Sequence, residues 1–286
     1  MQTVQATQVL LFYKYVTVED PETFSSWLRD LATEHGLLGR ILVAEEGLNG
    51  TVEGSEEDTE AFATALLEDE RFSDMQVKRS AGNGNAFPKL SVKVREEIVG
   101  TRFPKQVDPR VRTAPRIAAE ELRSWYENGK EFVIVDMRND YEYRSGHFKD
   151  SVNPGLENSR DLPGALPKLD HLKDKTVLTV CTGGVRCEKM SALLLEEGFA
   201  DVYQLDNGIH GYMEKYPGQD FEGALYTFDD RKTMDFGGDR DVVGRCTLCA
   251  APAELYANCA NDLCHDHFIV CETCSGGRSV FCSAAC

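Results

Sequence analysis

The sequence predicts an α/β protein with three parts: an N-terminal α+β domain, a central domain with a parallel sheet, and a small cysteine-rich module that binds zinc. Three observations predict this. Strand-like and helix-like stretches follow one another as β-α-β-β-α-β over residues 1–100. Strand and helix signals alternate again over residues 117–217. Eight of the ten cysteines lie in the last 41 residues, which is typical of a local metal site.

The first domain, residues 1–100, has the element order of a ferredoxin-like fold. The predicted strands are an apolar run at 9–15, residues 38–43 and 50–52, and a last strand near 75–77; the predicted helices cover 21–35, behind the start signal Asp20-Pro21, and 55–67. The segment Ala81-Gly82-Asn83-Gly84-Asn85 predicts a flexible loop with no catalytic role. A ferredoxin-like fold carries no function by itself.

Residues 101–116 contain three prolines and no periodicity, which predicts an inter-domain linker. They belong to a basic segment from Lys78 to Arg116 that has ten basic and three acidic side chains, although the whole chain has a net charge of −17. The segment predicts either a landing site for a polyanion such as RNA or a linker whose charges keep it solvated. The candidate RNA-binding residues are Lys78, Arg79, Lys89, Lys93, Arg95, Arg102 and Lys105.

The sequence of the second domain, residues 117–217, predicts a parallel sheet. The pattern indicates helices at 117–128 and 187–197 and strands at 132–135, 176–180 and 202–205. Ligands of such sheets bind at the carboxyl ends of the strands.

Cys181 stands at such a strand end. The loop after it, Thr182-Gly183-Gly184-Val185, can turn its backbone N–H groups toward the sulfur, and the helix start and Arg186 add positive potential. These features predict a thiolate with a lowered pKa and a catalytic nucleophile; the alternative is a buried inert cysteine. Cys187 is a secondary candidate that either resolves a sulfenic acid or mixed disulfide on Cys181 or packs as a small apolar residue.

Several ordered motifs over residues 117–217 resemble a rhodanese domain. They are Asp136-Met137-Arg138, Glu142, Gly146-His147-Phe148, Asn153, the loop from Cys181 to Arg186, and Leu205-Asp206-Asn207-Gly208. The resemblance implies a loop cysteine that carries a persulfide, with a loop length similar to the sulfur-handling members rather than the phosphatases. Asp136, Arg138, Glu142 and His147 are expected to be structural, with an ion pair between Arg138 and Glu142.

The flanking segments narrow the resemblance. Glu46-Gly47-Leu48-Asn49-Gly50, the segment from Lys93 to Val99, the block from Cys181 to Lys189 and the cysteine-rich tail resemble the bacterial tRNA uridine(34) hydroxylase family over nearly the whole chain. This resemblance implies O2-dependent conversion of the wobble uridine in the tRNA anticodon loop to 5-hydroxyuridine, with the loop cysteine required. Members often continue into a basic extension, whereas this sequence stops at Cys286, so we expect RNA contacts to depend more on the basic segment.

Residues 218–286 form the predicted zinc-binding region. Two Cys-x-x-Cys pairs within 41 residues favour thiolate-bound zinc, because so short a segment cannot build a sufficient apolar core. Disulfides and an iron–sulfur cluster are the alternatives, and the pairing cannot be read from the sequence. The candidate ligands are Cys246, Cys249, Cys259, Cys264, Cys271, Cys274, Cys282 and Cys286.

Three functions are consistent with these residues. The family resemblance favours tRNA hydroxylation with O2 as co-substrate, although the sequence has no flavin or nicotinamide motif that would explain oxygen activation. A sulfurtransferase would pass sulfur from a donor such as thiosulfate through a Cys181 persulfide to a thiol acceptor. A binding scaffold with an inert rhodanese domain is the third, and an intact Cys181 and Arg186 argue against it.

The sequence also predicts where the protein works. It has no apolar run of the ~20 residues that a membrane helix needs, and its first residues lack the order of a signal peptide. We therefore expect a cytoplasmic protein with no membrane partner. The sequence makes no prediction about the oligomeric state.

Overall fold

A computed structural model describes residues 6–103, 107–237 and 240–286. The chain divides into two compact units, which are described separately below. The first contains residues 1–113 and 229–231, and the second contains residues 114–228 and 232–286. The predicted α/β class, with an α+β unit before a parallel-sheet unit, is confirmed.

The first unit is a five-stranded sheet with two helices on one face. Its strands are β1 (Thr7–Tyr15), β2 (Leu38–Ala44), β3 (Gly47–Ser55), β4 (Val77–Ala81) and β5 (Leu90–Val94), and its helices are α1 (Pro21–Glu34) and α2 (Glu56–Leu67). The strand order is β4-β1-β3-β2-β5, and only the β2–β5 pair is parallel. Side chains from both helices pack with one face of the sheet in a common apolar core.

Capping side chains explain where these helices begin. Asp20 accepts a hydrogen bond from the Thr23 N–H at 3.0 Å, and Pro21 occupies the first turn of α1, where a missing N–H costs nothing. Ser55 accepts from the Asp58 N–H at 3.1 Å and starts α2. The predicted helix starts are therefore confirmed within a residue.

The sequence-based assignment is wrong near the end of this unit. The strand expected near 75–77 lies at 77–81, and the edge strand 90–94 was not predicted. Between them, where a flexible loop was expected, the buried Glu53 carboxylate accepts hydrogen bonds from three backbone N–H groups, those of Asn83, Gly84 and Ala86, at 2.8 to 2.9 Å. Glu53, which is distant in the sequence, thus fixes the backbone of a segment whose own sequence predicts only turns.

The second unit contains a four-stranded sheet in the order β6-β10-β9-β7. All three strand pairs are parallel, as predicted. The elements are β6 (Arg116–Ile117), α3 (Ala119–Glu127), β7 (Val133–Asp136), α4 (Asp140–Tyr143), β8 (Gly146–Phe148), α5 (Leu162–Leu169), β9 (Thr176–Val180), α6 (Val185–Glu196), β10 (Asp201–Leu205) and α7 (Gly208–Lys215). Helix α3 begins two residues later than expected, because Ile117 is drawn into strand β6 beside Leu205.

The rest of the second unit consists of short elements. Strand β11 (Phe221–Gly223) pairs with β8, and β12 (Leu225–Tyr226) pairs with β13 (Thr233–Met234). Strands β14 (Leu255–Asn258) and β15 (His267–Val270) form a hairpin, and α8 (Glu272–Ser275) follows. The hairpin and the cysteines around it form a small core of their own.

Among the described residues, no helix combines the length and the apolar character needed to span a bilayer.

Candidate active site and metal centres

Cys181 directly follows β9, one of the two inner strands of the parallel sheet, at its carboxyl end. The chain then turns sharply at Gly184, which has a φ of 104° and precedes the first residue of α6. A left-handed φ of this kind suits glycine, which has no Cβ. The turn aims the Gly184 N–H at the Cys181 Sγ over 3.2 Å, which is one contact of the kind predicted for this loop.

The start of α7 holds the same loop from the other side. The Ile209 N–H donates to the Cys181 carbonyl at 2.9 Å, and the His210 N–H donates to the Thr182 carbonyl at 3.0 Å. Gly208 has a φ of +63°, and a Cβ there would lie 2.5 Å from the Cys181 carbonyl oxygen. A glycine at position 208 is therefore required for α7 to approach the loop this closely.

Arg186 is held by a buried carboxylate. Its two terminal nitrogens donate to the two Glu142 oxygens at 2.6 and 2.8 Å, and one of them also contacts the Thr182 hydroxyl at 3.1 Å. Glu142 is completely buried and Arg186 is 7% exposed. Bidentate geometry fixes the guanidinium rigidly beside the loop.

The expected ion pair between Arg138 and Glu142 is wrong. Arg138 instead binds both oxygens of Asp136, at 2.6 to 3.1 Å, and the carbonyl of Gly146. Asp136 is only two residues away and equally buried, which leaves Glu142 free to reach Arg186. Glu142 was expected to be structural, and its place beside the Cys181 loop was not predicted from the sequence.

The surroundings of Cys181 favour its thiolate. Burial by itself would raise the pKa of this thiol, but a hydrogen bond from Cys187, the charge of Arg186 and backbone N–H groups together lower the pKa to about 6. The pKa of Cys187 is raised by its own burial and by the neighbouring Cys181. At neutral pH the pair therefore consists of one thiolate and one thiol, and both side chains are fully buried.

An exposed aromatic ring lies beside Arg186. The guanidinium carbon is 5.4 Å from the centroid of the Phe228 ring, and that ring is 51% exposed. Tyr226 meets Phe228 edge-on, at 5.4 Å between centroids. Sequence analysis missed Phe228 because it lies outside the predicted domain at 117–217 and no local motif marks it.

The tail brings its eight cysteines into two groups of four, as a pair of metal sites requires. Within each group, all four sulfur atoms lie within 4.8 Å of one another. The first group contains Cys246, Cys249, Cys271 and Cys274, and the second contains Cys259, Cys264, Cys282 and Cys286. Each group can hold a metal ion, and the ligand pairs of the two groups alternate along the chain.

The sulfur–sulfur distances fit a single ion. Three contacts measure 3.5 to 3.6 Å: Cys249 to Cys271, Cys259 to Cys286, and Cys264 to Cys282. Four sulfurs at ~2.3 Å from a tetrahedral ion lie roughly 3.8 Å apart. An iron–sulfur cluster with several irons would hold the four sulfurs farther apart. Disulfides are absent from the described residues, since all ten cysteines of the chain are free.

The basic segment is not brought together in space. Lys78 and Arg79 lie on β4 and Lys93 lies on β5, at opposite edges of the five-stranded sheet. Four strand spacings, roughly 19 Å, separate these edges. The described residues of the basic segment therefore do not form one compact patch, and their role in binding a polyanion stays a prediction.

The individual side chains differ as well. Lys78 is 7% exposed and faces the Tyr13 ring, and Arg79 forms a bidentate ion pair with Glu60 at 2.6 and 2.7 Å. Lys105 lies outside the described residues. The remaining candidates are exposed: Lys89, Lys93, Arg95 and Arg102.

Three family models match successive parts of the chain. Residues 7–98 match the UPF0176 acylphosphatase like domain, residues 118–215 the rhodanese-like domain, and residues 222–286 the rhodanase C-terminal domain. The second match confirms the rhodanese resemblance of the Cys181 domain.

Similar proteins extend over nearly the whole chain. A tRNA uridine(34) hydroxylase of Cytophaga hutchinsonii is 41% identical over 280 residues, which are 98% of this chain and 89% of that protein. Proteins of the same name from Staphylococcus carnosus and Staphylococcus aureus MRSA252 are 40% and 42% identical over 269 residues, 93% of this chain and 84% of each relative. At this identity and coverage, the chain belongs to the tRNA uridine(34) hydroxylase family.

Proposed function

We propose that this protein uses O2 to hydroxylate the wobble uridine of tRNA to 5-hydroxyuridine. The observation that carries the proposal is the Cys181 thiolate at the carboxyl end of β9, beside the fixed guanidinium of Arg186, in a chain of this family. Full-length similarity to named hydroxylases favours this activity over sulfur transfer, which the thiolate alone would equally support.

The thiolate has a direct role in this chemistry. Addition of the Cys181 sulfur to C6 of uracil breaks the C5–C6 double bond and makes C5 electron-rich, so that C5 can react with an oxidant. The Gly184 N–H and Arg186 orient and stabilise the sulfur anion before the addition, and Glu142 keeps Arg186 in place. Elimination of the same thiolate, with loss of the proton on C5, restores the aromatic base after C5 has received its oxygen.

Phe228 supports recognition of an extruded base. Unstacked bases of single-stranded loops bind to proteins by stacking on aromatic rings and guanidinium planes. Phe228 offers an exposed ring at 5.4 Å from Arg186, close to the loop that carries Cys181. We therefore assign Phe228 the role of stacking platform for the wobble uracil.

The phosphates of the anticodon stem-loop require cations elsewhere. Lys89, Lys93, Arg95 and Arg102 are exposed, and they are the side chains that we assign to RNA binding. Lys78 is buried and Arg79 is paired with Glu60, so we assign no phosphate contact to these two side chains. Phosphate contacts of this kind weaken as salt rises, since counterion release drives them.

The two cysteine groups are assigned to zinc. Four thiolates at tetrahedral spacing are the ligand set that structural zinc prefers, and a closed set leaves no coordination position for substrate. We assign the protein to the cytoplasm, where ten free cysteines remain reduced and tRNA is present.

Nucleoside mass spectrometry of tRNA tests the proposed function. A strain without this gene is complemented with the wild type, with Cys181→Ala, or with Arg79→Ala as a surface control. We expect 5-hydroxyuridine at the wobble position to return with the wild type and the control and to stay absent with Cys181→Ala. A loss of thiolated bases or of sulfane-sulfur transfer, with 5-hydroxyuridine unchanged, would identify a sulfurtransferase instead.

A further inference from the structure

The proposed hydroxylation leaves one pair of electrons to be accounted for. Full reduction of O2 takes four electrons, and conversion of the C5–H bond of uracil to C5–OH supplies two. A reductant must supply the other two, so that the second oxygen atom can leave as water. The following inference rests on the proposed function and concerns the source of this second pair.

Cys181 and Cys187 form a thiol pair inside the active site. Eight of the ten cysteines belong to the two metal groups, and these two are the ones that remain. Cys181 begins the loop and Cys187 lies in the first turn of α6, and their side chains are hydrogen-bonded to each other. Both are completely buried, so a large external thiol reaches neither sulfur without opening the loop.

The backbone and the ionisation of the two cysteines suit reversible formation of a disulfide between them. The loop between the two cysteines turns at Gly184, and α7 holds the carbonyls of Cys181 and Thr182, so the backbone on the Cys181 side of the pair is fixed. Thiol–disulfide chemistry requires one thiolate next to one thiol. The raised pKa of Cys187 and the lowered pKa of Cys181 match that division.

We propose that Cys181 and Cys187 together are the two-electron reductant of the hydroxylation and end each turnover as a disulfide. Uracil with its C5–H bond, O2 and two thiols give 5-hydroxyuracil, water and one disulfide. The C5–H and O–O bonds break, and the C5–O and S–S bonds form. The two thiol protons and the second oxygen atom form the water, so three hydrogens and two oxygens stand on each side.

The cysteines act in a defined order. Cys181 first adds to C6 and is released when the base regains its double bond. Cys187 reduces the second oxygen atom and becomes a sulfenic acid, and the freed Cys181 thiolate then attacks that sulfur and expels hydroxide, which takes up a proton. An external thiol must reduce the disulfide before the next turnover, so O2 consumption is coupled to thiol consumption.

A reductant-free single turnover tests the inference. The metal-loaded protein is reduced, freed of reductant without oxygen, mixed with an anticodon stem-loop RNA and exposed to O2. We expect close to one 5-hydroxyuridine per enzyme, followed by arrest. Alkylation and peptide mapping should show a Cys181–Cys187 disulfide in equal amount, while the cysteines of the metal groups stay unchanged.

Variants of Cys187 provide the comparison. Cys187→Ser and Cys187→Ala should lose the reductant-free product, to less than about a tenth of wild type, and an added small dithiol should restore product formation in both. Two substitutions are used because a buried serine hydroxyl has its own cost, and thermal unfolding shows whether each variant folds. Wild-type protein without RNA should form the disulfide far more slowly, because oxidation is tied to the base.

The outcomes separate the inference from the proposed function. If the wild type makes no 5-hydroxyuridine even with O2 and excess dithiol, the proposed function is wrong. If the wild type makes 5-hydroxyuridine with added dithiol but none without reductant, the role of Cys181 and Cys187 as reductant is wrong while the proposed function stands. The same conclusion follows if a folded Cys187 variant forms as much product as the wild type both with and without dithiol. Disulfide formation at the same rate without RNA would also overturn it.

Discussion

The charge of Arg186 makes a measurable contribution to the Cys181 thiolate. A fall in the pKa of Cys181 from 9.0 to about 6 corresponds to about 4 kcal/mol in favour of the anion. At pH 7 a pKa of about 6 leaves about nine-tenths of the thiol ionised, whereas a pKa of about 9 leaves about 1%. The perturbation is Arg186→Gln in a Glu142→Gln background: the double variant removes both members of the buried pair, and its difference from Glu142→Gln alone isolates the Arg186 charge.

We expect the pKa of Cys181 in the double variant to lie above that in Glu142→Gln, because the Arg186 charge is gone, but to stay below 9.0, because the hydrogen bonds from Cys187 and Gly184 remain. Glu142→Gln alone should shift the pKa downward from that of the wild type, because it leaves the Arg186 charge without its counterion. Each single variant strands a buried charge and should lose about 3 to 5 kcal/mol of unfolding free energy, and the double variant should lose less.

The assay is the pH dependence of iodoacetamide modification at Cys181, followed by peptide mass spectrometry, with unfolding free energies from urea titrations. Modification of the wild type should rise from pH 5 and level off above about pH 7, since the thiolate is the reactive form. A double variant whose midpoint equals that of Glu142→Gln alone would refute the assigned role of Arg186.

Three further predictions address other parts of the site. Gly208→Ala should lower the unfolding free energy by about 2 kcal/mol or more, because its Cβ would meet the Cys181 carbonyl. Gly164→Ala in α5 is the control: its Cβ has open space, so the change should be neutral or slightly stabilising. Thermal and urea unfolding of both variants test this prediction. Phe228→Ala should raise KM for an anticodon stem-loop by about 5- to 100-fold with little change in kcat, because the base loses its stacking partner. Phe228→Trp should keep the KM of the wild type. A KM for Phe228→Ala equal to that of the wild type would exclude the stacking role. Cys271→Ser should reduce the bound zinc from two ions per chain to one or fewer by elemental analysis, whereas Cys181→Ser should keep both; an unchanged content in Cys271→Ser would contradict the ligand assignment.

Local sequence was sufficient to predict the position of the Cys181 loop between a strand and a helix. The loop runs from the end of β9 to the start of α6 within a few residues. The relative positions of Cys181, the two glycines and Arg186 therefore depend on local structure and need no long-range information. The partner of Arg186 was not predictable in the same way. Glu142 lies 44 residues away, and only the folded chain decides whether it binds Arg186 or Arg138.

Proximity along the chain was misleading for the basic segment. Its first residues belong to β4 and later ones to β5, and the sheet order places β1, β3 and β2 between them. Edge strands are short and have weak alternation, which is why β5 went unpredicted and the separation could not be foreseen. The metal ligands were predictable as a set, because thiolates in Cys-x-x-Cys pairs have few other uses, but their grouping depends on how the β14–β15 hairpin folds back.

The alternation of ligand pairs in the tail would couple the binding of one metal ion to the binding of the other. The segment from Cys249 to Cys271 closes the first group and carries Cys259 and Cys264 of the second, so neither loop can be released without disturbing the other. Each ion bound shortens the free loop that the next must close, and this lowers the entropic cost of the second binding event. We therefore expect cooperative uptake of the two ions. A chelator that removes one ion should weaken the binding of the other, so that few chains should hold a single ion.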